Sequence, residues 1–141
     1  MSGKIKQTAG HDQLGDFSPM FAHLNDDVLF GEVWNEEAID LKTKCIVTVV
    51  SLMASGITDA SLKYHLMNAK NNGVTKAEIA AIITHATMYC GWPKGWAVFR
   101  LAKEIWTEEE YEDRHDYKKF PEFEALRLGI RGHEIAGHGR R

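Results

Sequence analysis

The most apolar stretch of the chain reads LKTKCIVTVVSLMAS, residues 41–55. It has no clean polar face, which is typical of a helix covered on every side. The β-branched run at residues 46–50 would also suit a strand. The whole stretch is too long for one strand, however, and no partner strand is visible elsewhere in the sequence. We therefore predict a central helix that Gly56 ends.

The next segment, residues 58–72, also predicts a helix. Thr58 is its expected N-cap and Gly73 its C-terminal stop. The spacing i, i+3, i+4, i+7 places four residues on one face of this helix: Leu62, His65, Leu66 and Ala69.

A second pair of signals opens the following helix. Thr75 and Glu78 predict a capping box, in which the Thr75 hydroxyl accepts from the Glu78 amide and the Glu78 carboxylate reaches back. We expect this helix to run to about Cys90. Pro93 then suits the first turn of a further helix.

These patterns predict an all-α chain of six or seven helices. We expect a flexible, polar N-terminus at residues 1–15 and a helical domain at residues 16–106, which opens on one broken helix or two short ones. For residues 107–141 we expect a C-terminal extension with a short helix and a mobile tail. Residues 41–55 and 75–90 carry more apolar surface than a small monomer covers, so we expect subunit contacts.

Composition excludes several classes of function. The net charge is −3 and no basic block precedes the C-terminal tail, which argues against a nucleic-acid surface. The longest apolar run is too short to span a membrane, and the N-terminus lacks a signal pattern, so we expect a cytoplasmic protein. Cys45 and Cys90 lack disulfide or metal spacing and are interpreted as buried thiols. No metal site and no cofactor are predicted.

Three motifs together resemble one family. LKTK at residues 41–44 opens an apolar helix. HLMNAKNNGVTKAEI at residues 65–79 is similar to a central signature, and ITHATMYCGWP at residues 83–93 is similar to the next one. In these stretches the chain resembles the carboxymuconolactone decarboxylase family, over roughly half of its length.

The resemblance implies an alkylhydroperoxidase-D-like helical bundle that assembles as a trimer or hexamer. It also implies one of two activities: decarboxylation of an unsaturated carboxy-lactone, or peroxide reduction by thiols (a peroxiredoxin activity). Redox members carry two cysteines where this chain has Thr58 and Ser61, and Cys45 stands near the position of their proton-relay glutamate. Disulfide exchange needs an attacking and a resolving sulfur, so the resemblance argues against that chemistry here.

Six residues are candidates for a site. His65 and His85 are the predicted catalytic residues, because imidazole serves as acid or base near neutral pH. Predicted substrate-binding residues are Tyr89, Cys90, Trp92 and Trp96. Each has a structural alternative: His65 as a core histidine tied to a carbonyl, His85 and Tyr89 as a packing face, Cys90 as a buried thiol, and the tryptophans as core or interface.

Three hypotheses for function remain open at this point. The first is a metal-independent lyase that decarboxylates a small unsaturated acid or lactone, with His65 as acid or oxyanion donor and His85 and Tyr89 lining the pocket. The second is a thiol-redox protein using Cys90 alone through a mixed disulfide. The third is a non-catalytic oligomeric binding module.

Overall fold

The computed structural model describes residues 4–107, and every regular element within them is helical. In chain order these elements are α1, Ala9–Leu14; α2, Pro19–His23; a π-helix, Leu24–Val33; α3, Leu41–Ala54; α4, Ala60–Asn71; α5, Lys76–Cys90; and α6, Trp92–Ile105. The predicted all-α class is confirmed. The predicted C-terminal extension, residues 107–141, lies outside the described residues except for Thr107.

Helices α3 to α6 form the bundle that contains the core. Helix α3 packs against α4, α5 and α6, whereas α4 and α5 occupy opposite corners and do not contact each other. The largest fully buried side chains include Met53, Leu62, Leu66, Ile83 and Val98. Helix α3 is central, as predicted, but not covered on every side, since Val47 and Ser51 are exposed in the protomer.

The starts of α4 and α5 follow local sequence signals. Thr75 accepts from the Glu78 amide at 3.1 Å, and the Glu78 carboxylate accepts from the Thr75 amide at 2.8 Å, which confirms the capping box. The N-cap of α4 is Asp59, whose carboxylate accepts from the Ser61 amide at 2.9 Å. The prediction of Thr58 was wrong by one residue, because the adjacent carboxylate is itself a strong cap.

Residues 4–33 form an N-terminal arm whose helices pack chiefly on one another, while side chains such as Phe30 and Val33 line pockets with α3 and α4. Helix α2 passes directly into the π-helix, so residues 19–33 make one continuous helical segment. Helix α1 lies where we expected a loose N-terminus. It is tied down by the buried Asp26 carboxylate, which accepts from the Gly10 and His11 amides at 2.9 and 2.8 Å and from His11 Nδ1 at 2.6 Å. Hydrogen bonds from distant residues thus order a segment whose own sequence is polar.

Helices α5 and α6 approach closely at one point. Gly95 lies so near Thr87 that a Cβ atom on it would meet the Thr87 hydroxyl oxygen at 2.2 Å. Pro93 occupies the first turn of α6, as predicted. At the other end of α6, the Trp106 indole donates to the Val74 carbonyl at 3.0 Å, which joins the end of the bundle to the loop before α5.

None of the helices within residues 4–107 combines the length and the apolar character needed to cross a membrane.

Candidate functional site

Helix α4 places His65 at the edge of the core. Leu62, Leu66 and Ala69 are fully buried, as their shared face predicts, whereas His65 is half-buried on the flank of that face. One edge of its ring therefore enters the protein interior while the rest stays near the surface.

The surroundings of His65 are aromatic rather than charged. Its ring stacks on Trp34 with centroids 6.2 Å apart and planes within 7°, and meets Tyr64 edge-on at 5.1 Å. Its Nδ1 atom is buried and has no hydrogen-bond partner. Burial lowers the pKa of His65, because the charged imidazolium loses solvation. The ring is therefore neutral at neutral pH and holds an unused nitrogen.

Trp34 was not assigned a role by the sequence analysis, although it forms one wall of the His65 environment. Its amide donates to the Leu29 carbonyl at 2.9 Å, which continues the π-helical pattern, and its own carbonyl accepts from Lys44 Nζ at 2.9 Å. The Phe30 ring also stacks on Trp34, with centroids 6.0 Å apart. The sequence pattern gives no signal for Trp34, because Lys44, which binds its carbonyl, and His65, which stacks on its ring, come from other segments of the chain.

His85, Tyr89 and Cys90 lie together elsewhere, on the outer face of α5. They line an open, apolar groove of about 570 Å³ with Ile46 and Val50 of α3. The His85 and Tyr89 rings are 5.3 Å apart, and Tyr89 is 82% exposed.

The two predicted catalytic histidines are not brought together in the protomer. His65 is on α4 and His85 is on α5, and these helices lie at opposite corners of the bundle. The groove that His85 lines does not include His65. The expectation that His85 and Tyr89 line the pocket of His65 is therefore not met within one chain.

Trp92 and Trp96 form a third location. With Phe99, Thr84 and Thr87 they line a cleft of about 270 Å³ between α5 and α6, and both indoles are largely exposed. The six candidates thus divide among three places: the His65 environment, the α3/α5 groove and the α5/α6 cleft.

The cysteines are both free. Cys45 is buried, and burial raises the pKa of its thiol, which keeps it protonated, while Asn72 donates to its sulfur at 3.7 Å. Thr58 precedes Asp59, the N-cap of α4, and Ser61 lies in the first turn of that helix. Within residues 4–107 no group of three or more His, Cys, Asp or Glu side chains is arranged to hold a metal ion.

Comparison with known proteins finds one matching family model and three similar proteins. The model of the carboxymuconolactone decarboxylase family matches residues 19–104. The chain is 34% identical over 97 residues to 4-carboxymuconolactone decarboxylase of Acinetobacter baylyi, a match that spans 69% of this chain and 72% of that protein. It is 30% identical over 90 residues to nitrosuccinic acid decarboxylase of Metarhizium robertsii, spanning 64% and 61%.

A third relative is an uncharacterised protein of Paracoccus denitrificans, 29% identical over 87 residues that span 61% of this chain and 65% of that one. The family model covers the π-helix and the whole of α3, α4 and α5, which include every candidate residue from His65 to Cys90. By the extent of this match, the protein belongs to the carboxymuconolactone decarboxylase family.

Proposed function

We propose that the protein is a metal-independent decarboxylase of a small unsaturated carboxylic acid or lactone, with His65 as its catalytic residue. The observation that carries this proposal is the buried, unpartnered Nδ1 of a half-buried imidazole. Buried polar groups are nearly always hydrogen-bonded, so an exception calls for an explanation. A ring held for substrate, rather than for structure, is such an explanation.

The state of His65 suits one role in this reaction. When the carboxylate leaves as CO2, the electron pair of the broken bond spreads into the unsaturated system and builds charge on an oxygen atom. A neutral imidazole donates a hydrogen bond to that oxygen through the ring nitrogen that carries its proton, and such stabilisation is a major source of rate enhancement. A proton must then reach carbon, by general acid catalysis.

The relatives support the reaction class more than any one substrate. The two named ones decarboxylate different acids, 4-carboxymuconolactone and nitrosuccinic acid. What they share with this chain is the helical region that includes His65. The substrate proposed here is accordingly a class: a small acid that can delocalise the electrons left by CO2.

The test replaces His65 with an aromatic residue that has no ring nitrogen. His65→Phe keeps an aromatic ring against Trp34 and removes both ring nitrogens. We expect decarboxylation of the best substrate in a panel of small unsaturated acids and carboxy-lactones to fall about 10²- to 10⁴-fold in kcat. The matched control is His23→Gln, since His23 is an exposed histidine of the arm that pairs with Asp27. The control should retain full turnover.

Two further measurements can contradict the proposal. His85→Phe alters the other predicted catalytic histidine; if it abolished turnover while His65→Phe did not, the site would be the α3/α5 groove. Exhaustive dialysis against a chelator should leave turnover unchanged, and a loss restored by a divalent metal would refute metal independence.

We also propose that the protein acts as a homo-oligomer, a trimer or hexamer. The support is the size of the apolar surface that the protomer leaves open, including the α3/α5 groove and the exposed Trp92 and Trp96. Apolar patches on this scale usually mark interaction sites.

A further inference from the structure

A small pocket of mixed character lies between α4 and the first described residues of the chain. Its volume is about 190 Å³. Ile5, Phe30, Trp34 and Leu41 supply apolar walls, and Lys6, Tyr64 and Asn68 supply polar groups. None of the six candidate residues predicted from the sequence lines it.

Residues 5–7, which line one side of this pocket, are held in place by specific hydrogen bonds. Asn35 clamps Ile5 from both sides: its Oδ1 accepts from the Ile5 amide at 2.7 Å, and its Nδ2 donates to the Ile5 carbonyl at 3.0 Å. Gln7 accepts from the Thr8 and Ala9 amides at 2.9 and 3.0 Å. Lys6 is thus anchored on both sides, and the pocket is a built feature rather than a gap under a loose end.

Three donors around the pocket have no protein partner. Tyr64 and Asn68 are one turn apart on α4, so they present their polar ends on the same side of the helix. Within residues 4–107 no hydrogen bond or ion pair is made by the Tyr64 hydroxyl, by the side-chain amide of Asn68 or by the Lys6 ammonium group. Asn72, one turn further on, is by contrast engaged with the Asn68 carbonyl at 2.8 Å.

The charge of the pocket has one sign. Lys6 contributes a positive charge, and no carboxylate is among the lining residues. Cys45 also lines the pocket, but its thiol stays protonated because burial raises its pKa. A cation and two neutral donors, facing apolar and aromatic walls, are complementary to an anion with a flat apolar body.

We propose that this pocket binds the carboxylate of a small, flat organic acid, with Lys6, Asn68 and Tyr64 as its donors and Phe30 and Trp34 against its body. The volume supports a small metabolite, since pockets for drug-sized ligands are typically about 300 Å³ or larger.

The pocket adjoins the His65 ring through shared walls. Trp34 and Tyr64 line the pocket, and the same two rings contact His65. An acid bound here would therefore share the Trp34 and Tyr64 rings with His65, which does not itself line the pocket. The identification of this acid as the substrate rests on the proposed function, whereas binding of the acid does not.

The experiment compares two probes of nearly equal size and shape, one a carboxylate and the other a neutral amide. Sorbate is a flat, unsaturated monocarboxylate, and sorbamide is its neutral amide. Isothermal titration calorimetry of the full chain should show binding of sorbate, with sorbamide at least about tenfold weaker, since a charge-assisted hydrogen bond contributes more than a neutral one. Equal affinities for the two probes, or no binding of sorbate, would overturn the proposal.

Variants locate the binding. Asn68→Leu should lower the affinity for sorbate about tenfold or more. Lys6→Met should lower this affinity and also reduce its dependence on salt concentration. The matched control is Asn71→Leu, an exposed asparagine of the same helix, which should bind sorbate as the wild type does. Unchanged affinity in both Asn68→Leu and Lys6→Met, with melting temperatures intact, would place sorbate elsewhere and refute the assignment.

His65→Phe separates this proposal from the proposed function. It should still bind sorbate, because it keeps the aromatic wall, while it loses turnover. Sorbate binding that depends on Asn68 and Lys6 in a protein that decarboxylates nothing would contradict the function and leave the pocket standing. If instead both Asn68→Leu and Lys6→Met kept their turnover with unchanged KM, the proposed function would stand and the pocket would not be the substrate site.

Discussion

At the scale of single residues, His65 combines a structural cost with a chemical use. Leaving a buried polar atom unpartnered costs on the order of 1–3 kcal/mol of stability. The Trp34 and Tyr64 rings do not offset that cost with a hydrogen bond, because neither directs a polar atom at Nδ1. A fold selected for stability alone would favour an apolar ring here.

The first prediction concerns that balance. His65→Phe should keep or raise the free energy of unfolding, by up to roughly 1–3 kcal/mol, because it removes the unpartnered nitrogen and keeps the ring. Urea unfolding followed by far-UV circular dichroism measures the change. His23→Gln should give no such gain, since its ring is exposed. A large loss of stability in His65→Phe would mean that the nitrogens of His65 are structural.

The second prediction concerns pH. The folded pKa of His65 lies below its ordinary value of 6.5, so below pH 6.5 the unfolded chain takes up a proton that the folded protein does not. The contribution of His65 to stability is therefore complete above pH 6.5 and falls as pH drops from there toward the folded pKa. Proton NMR of the His65 ring measures that pKa. The same pH series of unfolding in His65→Phe should lack this component, and a raised pKa would contradict the prediction.

At the scale of elements, a local sequence signal, the capping box, sets the start of α5. Thr75 and Glu78 satisfy each other's amides, and Lys42 of α3 donates to the Glu78 carboxylate at 2.8 Å. The capping box thus also connects α5 to α3. The hydrogen bonds from Lys42 and the Thr75 amide lower the pKa of Glu78, in that order of size, which keeps its carboxylate charged.

The third prediction tests this cap. Thr75→Ala removes the side chain that accepts from the Glu78 amide and should lower the free energy of unfolding by about 0.5–2 kcal/mol. Chemical denaturation measures it. Thr84→Ala is the matched control: Thr84 is exposed in the middle of α5, where alanine is the better helix former, so no loss is expected. A loss of equal size in both would show that the cap is not the cause.

The fourth prediction tests the contact between α5 and α6. Gly95→Ala would bring a Cβ atom to 2.2 Å from the Thr87 hydroxyl oxygen and 2.9 Å from its methyl group. We expect a loss of about 1–3 kcal/mol, because a tight helix contact cannot absorb the extra atom without shifting. In a Thr87→Ala background the same change should cost less, since both clashing atoms are gone. Additive losses across this double-mutant cycle would contradict the steric explanation.

At the scale of the whole molecule, the protomer exposes apolar surface on both the arm and the bundle. Phe17 is 90% exposed and Tyr89 is 82% exposed, and Met20, Val33, Met88 and Trp92 are each more than half exposed. These side chains stay exposed although the arm lines pockets with α3 and α4. This pattern supports the proposed assembly, because large apolar side chains left in water favour association.

The fifth prediction is that the α3/α5 groove is a subunit contact. Tyr89→Glu places a charge on that groove and should shift the protein to a smaller species in sedimentation velocity, since an unpaired charge resists burial. Asn71→Glu adds the same charge on the exposed end of α4 and should leave the assembly unchanged. A wild-type protein that sediments as a monomer would refute the proposal.

Much of the fold was predictable because its signals are local. The start of α5, the length of α3 and the buried face of α4 each follow from residues within a few turns of one another. The N-cap of α4 was misplaced by one residue, because Thr58 and Asp59 are both good caps and only their backbone geometry distinguishes them. Helix α1 was missed since Asp26, which orders it, lies in another element.

The candidate site was predictable only in part. His65 was proposed from its motif and its spacing and stays a prediction, whereas the contact of His85 with Tyr89 followed from one turn of helix. Trp34, Lys6 and Asn68 were not found, because their significance depends on which segments meet in space.

By itself, the sequence of this protein determined its helical class, its family and the placement of a histidine at the edge of a buried helix face, because hydrophobic periodicity and capping act between near neighbours along the chain. Only the tertiary structure decided that His65 and His85 lie apart, that the Trp34 and Tyr64 rings contact the first of them, and that an anchored N-terminal segment lines a pocket with the same two rings. Those contacts join residues far apart in sequence, and their free energy depends on the packing of the complete bundle.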